Sequence, residues 1–200
     1  MARSSASILR SSTIARRLCD KMLRCRKQCP IDVSEAYNCF TADTIYQYAF
    51  GQPLGFLNQE GWRPNSKAAF HAFLNSPFLF RFVPVVRNLA HLAPYLTRYM
   101  GGDMRLLMDE MTAKLPGHVE RAMHDRENGR MFAEILDSED LPDSEKTVYR
   151  LTGEGFSLMS AGTETTATAI TMITYYMLAN PDKLVRLRTE LRDADPKNLK

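Results

Sequence analysis

From Asp143 to Leu178 the sequence offers almost nothing that stops a helix. Leu141-Pro142-Asp143-Ser144 marks a start, with Asp143 or Ser144 as cap, and Asn180-Pro181 marks the end. About 35 residues at 1.5 Å each make a rod of roughly 50 Å, enough to cross a globular domain. Thr165–Asn180 carries no charge and is rich in Ile, Met and Tyr. A membrane span needs about 20 mostly apolar residues; this run is shorter, loaded with threonine and bordered by Glu164. The expectation is therefore the buried central helix of a mainly α protein.

Inside that helix sits a segment that helix rules do not favour, Ala161-Gly162-Thr163-Glu164-Thr165-Thr166. A glycine in a helix interior costs about 1 kcal/mol against alanine. Three threonines add crowding at χ1. Thr165 can also return its hydroxyl to the carbonyl of Ala161, four residues earlier. Glu164 is a carboxylate beside hydroxyls with little other charge nearby. Local violations this dense mark a functional site.

The remaining elements read as helix as well. Residues 1–28 form an amphipathic segment with Ile8, Leu9, Ile14, Leu18, Met22 and Leu23 on one side. Cys29-Pro30 breaks it, and Asp32 or Ser34 caps a helix of about 18 residues that ends at Gly51. Its apolar face is expected at Val33, Ala36, Tyr37, Phe40, Thr44, Ile45, Tyr48 and Ala49. Residues 52–65 form a loop, and 66–75 a short helix. The Pro-punctuated aromatic stretch 76–86 is either an interfacial segment or the lip of an apolar cavity, or else packed loop. A helix over about 103–128 should kink at Pro116-Gly117, and a last one covers 181–193 with Pro181 in its first turn. No strand pattern and no internal repeat is present.

Charge and cysteines exclude several classes. Residues 1–28 hold eight Arg or Lys against Asp20 alone, so in a chain of net +3 the remainder is mildly acidic. The Arg- and Ser-rich start has the composition of a mitochondrial transit peptide as well as that of a basic amphipathic helix. A secretory signal is not expected, since no apolar run of seven precedes a small-residue cleavage site. Nucleic-acid binding is disfavoured because no aromatic residue interleaves with the basic ones before Tyr37. Cys19, Cys25, Cys29 and Cys39 have no histidine nearer than His71, so reduced thiols rather than a zinc site or disulfides are expected. The four histidines form no catalytic pattern.

Ala161-Gly162-Thr163-Glu164-Thr165-Thr166 within a long helix resembles the oxygen-activation motif of the cytochrome P450 family. The boundary Tyr176-Met-Leu-Ala-Asn-Pro-Asp-Lys-Leu184 is similar to the family's next helix junction. Asp32-Val-Ser-Glu-Ala-Tyr37 and Thr41-Ala-Asp-Thr-Ile-Tyr-Gln-Tyr-Ala-Phe-Gly51 resemble its fungal members. The order of elements matches over residues 1–200, which the resemblance makes one partial cytochrome P450 domain, with the long helix at about 143–178.

The resemblance implies a heme-dependent monooxygenase that inserts one atom of O2 into a small apolar substrate, such as a fungal secondary metabolite of the terpenoid kind. Electrons would come from an NADPH-linked cytochrome P450 reductase, and the basic first helix lies where the family keeps its positive donor surface. Glu164 and Thr165 become the catalytic pair, an acid relaying protons and a hydroxyl that hydrogen-bonds dioxygen. Ala161, Gly162 and Thr166 flank the cofactor, and Leu158, Thr168 and Ala169 line the substrate side. Residues 77–86 would touch the endoplasmic reticulum membrane, where full-length members are anchored.

The chain also departs from the family pattern. The thiolate that holds heme iron lies in a Phe-x-x-Gly-x-x-x-Cys-x-Gly loop, and none of the four cysteines has that setting. Glu190-Leu-Arg-Asp193 places Asp where the family's Glu-x-x-Arg needs Arg. The expectation is a central portion of the fold, lacking the N-terminal anchor and β-rich part and the C-terminal heme-ligand region, with no metal ligand and no activity by itself. A non-catalytic helical relic or binding protein is the alternative.

Overall fold

A computed structural model describes residues 2–25, 30–63, 65, 67, 105, 109, 113–124 and 130–194. Among them stand α-helices and 3₁₀ turns and no strand, so the chain is mainly α. The expected helix at 66–75, the aromatic stretch 76–86 with its membrane contact, and most of 103–114 lie outside the described residues.

The first helix, α1 (Ala2–Cys25), turns Ile14 and Leu18 inward and leaves Leu23 54% exposed. Lys21 breaks the expected solvated basic face. Its side chain is buried, and Nζ donates to the carbonyls of Phe56, Gln59 and Gly61 at 3.3, 2.8 and 2.7 Å. The ammonium also lies 4.4 Å from the centre of the Trp62 ring.

Asp32 is the cap of α2 (Val33–Phe50), accepting from the N–H groups of Ser34 at 2.9 Å and Glu35 at 3.3 Å. Gly51, at φ 75°, ends it in the left-handed conformation that spares glycine a Cβ clash. Its burial departs from the expected apolar face. Tyr48 is 62% exposed, whereas Glu35, Asn38, Thr41 and Asp43 are buried. The reason is that α2 packs between α1 on one side and the later helices on the other, so two faces are covered instead of one.

The loop after α2 is held by buried charge. Asp43 accepts from the backbone N–H groups of Gly55, Phe56 and Leu57 at 2.8, 3.0 and 3.0 Å. Glu35 takes Arg63 at 2.6 Å and the amide of Asn65. Burial pushes the Asp43 carboxyl above its usual range, against the pull of those three N–H donors.

Pro116 and Gly117 fall in the first turn of α3 (Leu115–His124), which continues directly from π-helical residues 113 and 114. A short helix that the sequence reading missed, α4 (Arg130–Asp137), follows. Phe132 of α4 is fully buried and stacks on Phe50 with ring centres 5.3 Å apart. The long helix α5 (Val148–Ala179) starts later than expected. Asp143 and Ser144 form a 3₁₀ turn instead, and Thr147 is the cap, its hydroxyl accepting from the Arg150 N–H at 3.3 Å. The last helix, α6 (Pro181–Asp193), has the expected bounds.

The main core gathers Tyr46, Phe50, Leu115, Val119, Phe132, Leu151, Phe156 and Met159 from α2, α3, α4 and α5. A second cluster, Ile14, Leu18, Ala36, Cys39 and Leu57, joins α1 to α2. The expectation of a wholly buried α5 needs correction. One face of it enters the core, while Met172, Ile173, Tyr175, Tyr176 and Leu178 are each more than half exposed. Among the described residues no helix is long and apolar enough to cross a membrane.

Candidate oxygen-activation site

Helices α2 and α5 run antiparallel, and glycines let them approach. A Cβ on Gly155 would stand 3.2 Å from the Phe50 ring and 3.4 Å from the Phe132 ring. One on Gly162, two turns later, would stand 3.0 Å from both Cγ1 and Cδ1 of Ile45. Seven residues apart, the two glycines share one helix face. Gly162, expected beside Ala161 on a cofactor face, forms the notch that receives Ile45.

The rest of the motif divides by the same periodicity. Thr163 is buried, and its carbonyl accepts from the Thr41 hydroxyl at 2.9 Å. Glu164 is half-buried, and its Oε2 accepts from Asn38 Nδ2 at 3.0 Å. Ala161, Thr165, Thr166, Thr168, Ala169 and Met172 are exposed on the other side. Three consecutive residues, Gly162 to Glu164, thus meet α2, and an open stripe of small side chains and hydroxyls faces away from it.

Thr165 donates its hydroxyl to the Ala161 carbonyl at 2.6 Å, as its spacing implied. Thr152, Ser157, Ser160 and Thr171 make the same bond four residues back. The helix runs through all five without a break. Back-bonding here satisfies hydroxyls and does not open the ladder. With its proton on Ala161 O, the Thr165 oxygen presents lone pairs to the open side, where a donor can reach them.

Leu158 is half-buried and lines a cleft of about 420 Å³ with Met131, Ile135, Leu141 and Leu151. Arg150, Glu154 and Ser157 complete its wall. Thr168 and Ala169 lie two to three turns further along α5 and take no part in it. Sequence reasoning missed Asn38, Thr41 and Ile45, because the pairing of Asn38 with Glu164 spans 126 positions.

The family model for cytochrome P450 matches residues 7–198. The chain belongs to the cytochrome P450 family. It is 36% identical over 193 residues to a cytochrome P450 monooxygenase of Metarhizium majus, covering 92% of this chain and 40% of the relative. A cytochrome P450 monooxygenase of Ascocoryne sarcoides is 29% identical over 96% of this chain and 41% of its own length. A tryptophan 6-hydroxylase of Fusarium equiseti is 31% identical over 86% and 35%. The chain therefore spans well under half the length of these curated relatives. No solved structure matches it significantly.

A cytochrome P450 chain implies heme, and the open stripe of α5 fits one wall around it: Ala161 leaves room, and Thr165 supplies an acceptor. The described thiols do not fit as its iron ligand. Cys19 and Cys25 lie on α1, and Cys39 packs with Ile14, Leu18 and Leu57 on the α1 side of α2. Burial pushes the Cys39 thiol up to about 12, which keeps it protonated, and it donates to the Trp62 carbonyl at 3.4 Å. Among the described residues no group of three His, Cys, Asp or Glu is placed to hold a metal ion.

Proposed function

We propose that residues 1–200 form the central part of a heme-dependent monooxygenase domain that inserts one oxygen atom from O2 into a small apolar substrate, with electrons from an NADPH-linked cytochrome P450 reductase. The heme supplies the oxygen chemistry when bound. This chain supplies one wall and a path for protons. Sorting of the motif across α5 carries the reading: Glu164 at the α2 edge, Thr165 beside it on the open stripe. A half-buried carboxylate next to an exposed hydroxyl can hand a proton from solvent to a reacting oxygen without filling an apolar pocket with water. Ala161 and Thr166 flank the cofactor; Leu158, Thr168 and Ala169 face substrate. Gly162 serves the cofactor indirectly, by seating α5 on α2.

Exposed Met172, Ile173, Tyr175, Tyr176 and Leu178 support a place inside a larger fold, since a contiguous apolar surface of this kind is costly in water. With its described thiols turned elsewhere, the chain alone is expected to bind no heme stably and to turn over no substrate. Fungal secondary metabolism, with the endoplasmic reticulum as site and membrane contact through 77–86, is the setting that best suits the relatives' kind.

The experiment is a pair of variants, Glu164→Gln and Thr165→Ala, in a heme-loaded protein carrying this segment. Both should raise the hydrogen peroxide released per NADPH oxidised and lower product formed, by the 10²–10⁴-fold range in which proton transfer contributes. Wild-type coupling in both would remove the relay. Carbon monoxide added to the reduced 200-residue chain should produce no thiolate-type Soret band; such a band would refute the claim about the chain alone.

A further inference from the structure

Asn38 is completely buried, yet only half of its amide is used. Nδ2 donates to Glu164 Oε2 at 3.0 Å, and Oδ1 has no hydrogen-bond partner among the described residues. A buried amide with an unpaired oxygen is costly, and a leucine of the same shape would avoid that cost. The orientation is explained by its neighbour, because turning the amide over would set its oxygen against a carboxylate oxygen. We propose that Asn38 is a positioning residue for Glu164, holding the carboxylate at the α2 edge of the motif, one residue from Thr165. The inference rests on the reading of Glu164 as a proton carrier, and it names a group that helps fix where that carrier stands.

Neighbouring contacts give Asn38 a rigid base. Thr41, one turn along α2, donates to the Thr163 carbonyl at 2.9 Å, and Ile45, one turn further, fills the Gly162 notch. Asn38, Thr41 and Ile45 share one face of α2 and meet Glu164, Thr163 and Gly162 in turn. The motif backbone is thereby fixed, which leaves the side-chain torsion of Glu164 to be set by that side chain's own partners, Asn38 among them. Asn38 constrains it through a charge-assisted hydrogen bond.

Two measurements test this. In the 200-residue chain, the Asn38 side-chain amide should be protected from hydrogen exchange, and Glu164→Ala should speed that exchange by about ten- to a hundredfold, the factor for losing one hydrogen bond to a charged group. Unchanged exchange would overturn the contact, and no Asn38 variant is needed to see it. In a heme-loaded protein carrying this segment, Asn38→Leu should raise peroxide released per NADPH in the direction of Glu164→Gln, and Asn38→Leu added to Glu164→Gln should change nothing further. A leak that adds to that of Glu164→Gln would make Asn38 merely structural and overturn the proposal. If Glu164→Gln leaks while Asn38→Leu does not, the proposal falls and the relay stands. If Glu164→Gln itself does not leak, the relay falls and takes this inference with it.

Discussion

Replacing Gly162 by alanine sets two opposed effects against each other. Helix propensity favours the change by about 1 kcal/mol. Against it stands Ile45, whose Cγ1 and Cδ1 would lie 3.0 Å from the new methyl, several tenths of an ångström inside ordinary contact. Overpacking of that kind costs about 1–3 kcal/mol, so the net effect runs from zero to about −2 kcal/mol. Gly153 supplies the control on the same helix: it is exposed, with nothing within 4 Å of an added Cβ. Gly153→Ala should gain the full ~1 kcal/mol. Monitoring urea or thermal unfolding by helical circular dichroism, Gly153→Ala should raise Tm by about 2–4 °C, and Gly162→Ala should leave it unchanged or lower it by up to about 8 °C. Combining Gly162→Ala with Ile45→Val, which removes Cδ1, should recover about 1 kcal/mol relative to the sum of the two single changes. If Gly162→Ala stabilises as much as Gly153→Ala, the notch does no packing and the argument fails.

Thiol labelling at pH 8 should modify Cys19 quickly and Cys39 only on unfolding, because Cys19 is exposed and burial holds the Cys39 thiol up to about 12; rapid labelling of Cys39 in the folded chain would contradict its place between α1 and α2. Asp43→Ala should cost about 2–4 kcal/mol, since three backbone N–H groups lose one acceptor. For Asp43→Asn the pH dependence is the sharper readout. A carboxyl raised by burial gives stability that is full below its unfolded value of 3.8 and lost as pH climbs through the folded value, so the Asn variant should gain on wild type as pH rises from 4. A difference that stays flat with pH would be the refuting result. Lys21→Met keeps the apolar stem but strands three carbonyls, and should cost about 2–4 kcal/mol by the same unfolding assay.

What the sequence made legible was local. The Asp32 cap, the left-handed Gly51 and the Asn180-Pro181 junction are each decided within a few residues, and each stands where it was expected. The start of α5 was misplaced because the Lys146 N–H, three residues after Asp143, donates to the Asp143 backbone carbonyl at 3.1 Å in a 3₁₀ turn, while the Thr147 hydroxyl takes the Arg150 N–H. Eight-residue α4 was invisible because so short a helix has little propensity of its own; Phe132 stacked on Phe50 holds it. Thr165's bond to Ala161 could be read from a spacing of four. The facing of Gly162 could not, since a residue without a side chain leaves no trace of which neighbour it admits.

Helix α2 shows why the partner of the motif stayed hidden. A helix covered on two sides has no single apolar stripe, so its periodicity carries little information about which face meets what. Its informative residues are the polar ones. Glu35 and Asp43 gather the loop that follows, and Asn38 and Thr41 gather the motif on α5. Each such group is tolerable in the interior only because a partner waits for it. Buried polar residues of α2 therefore mark where other segments must arrive, and two of them point at the hexapeptide. Disturbing α2 should reach Glu164 without touching α5, and that dependence separates a site framed by two helices from a motif acting alone.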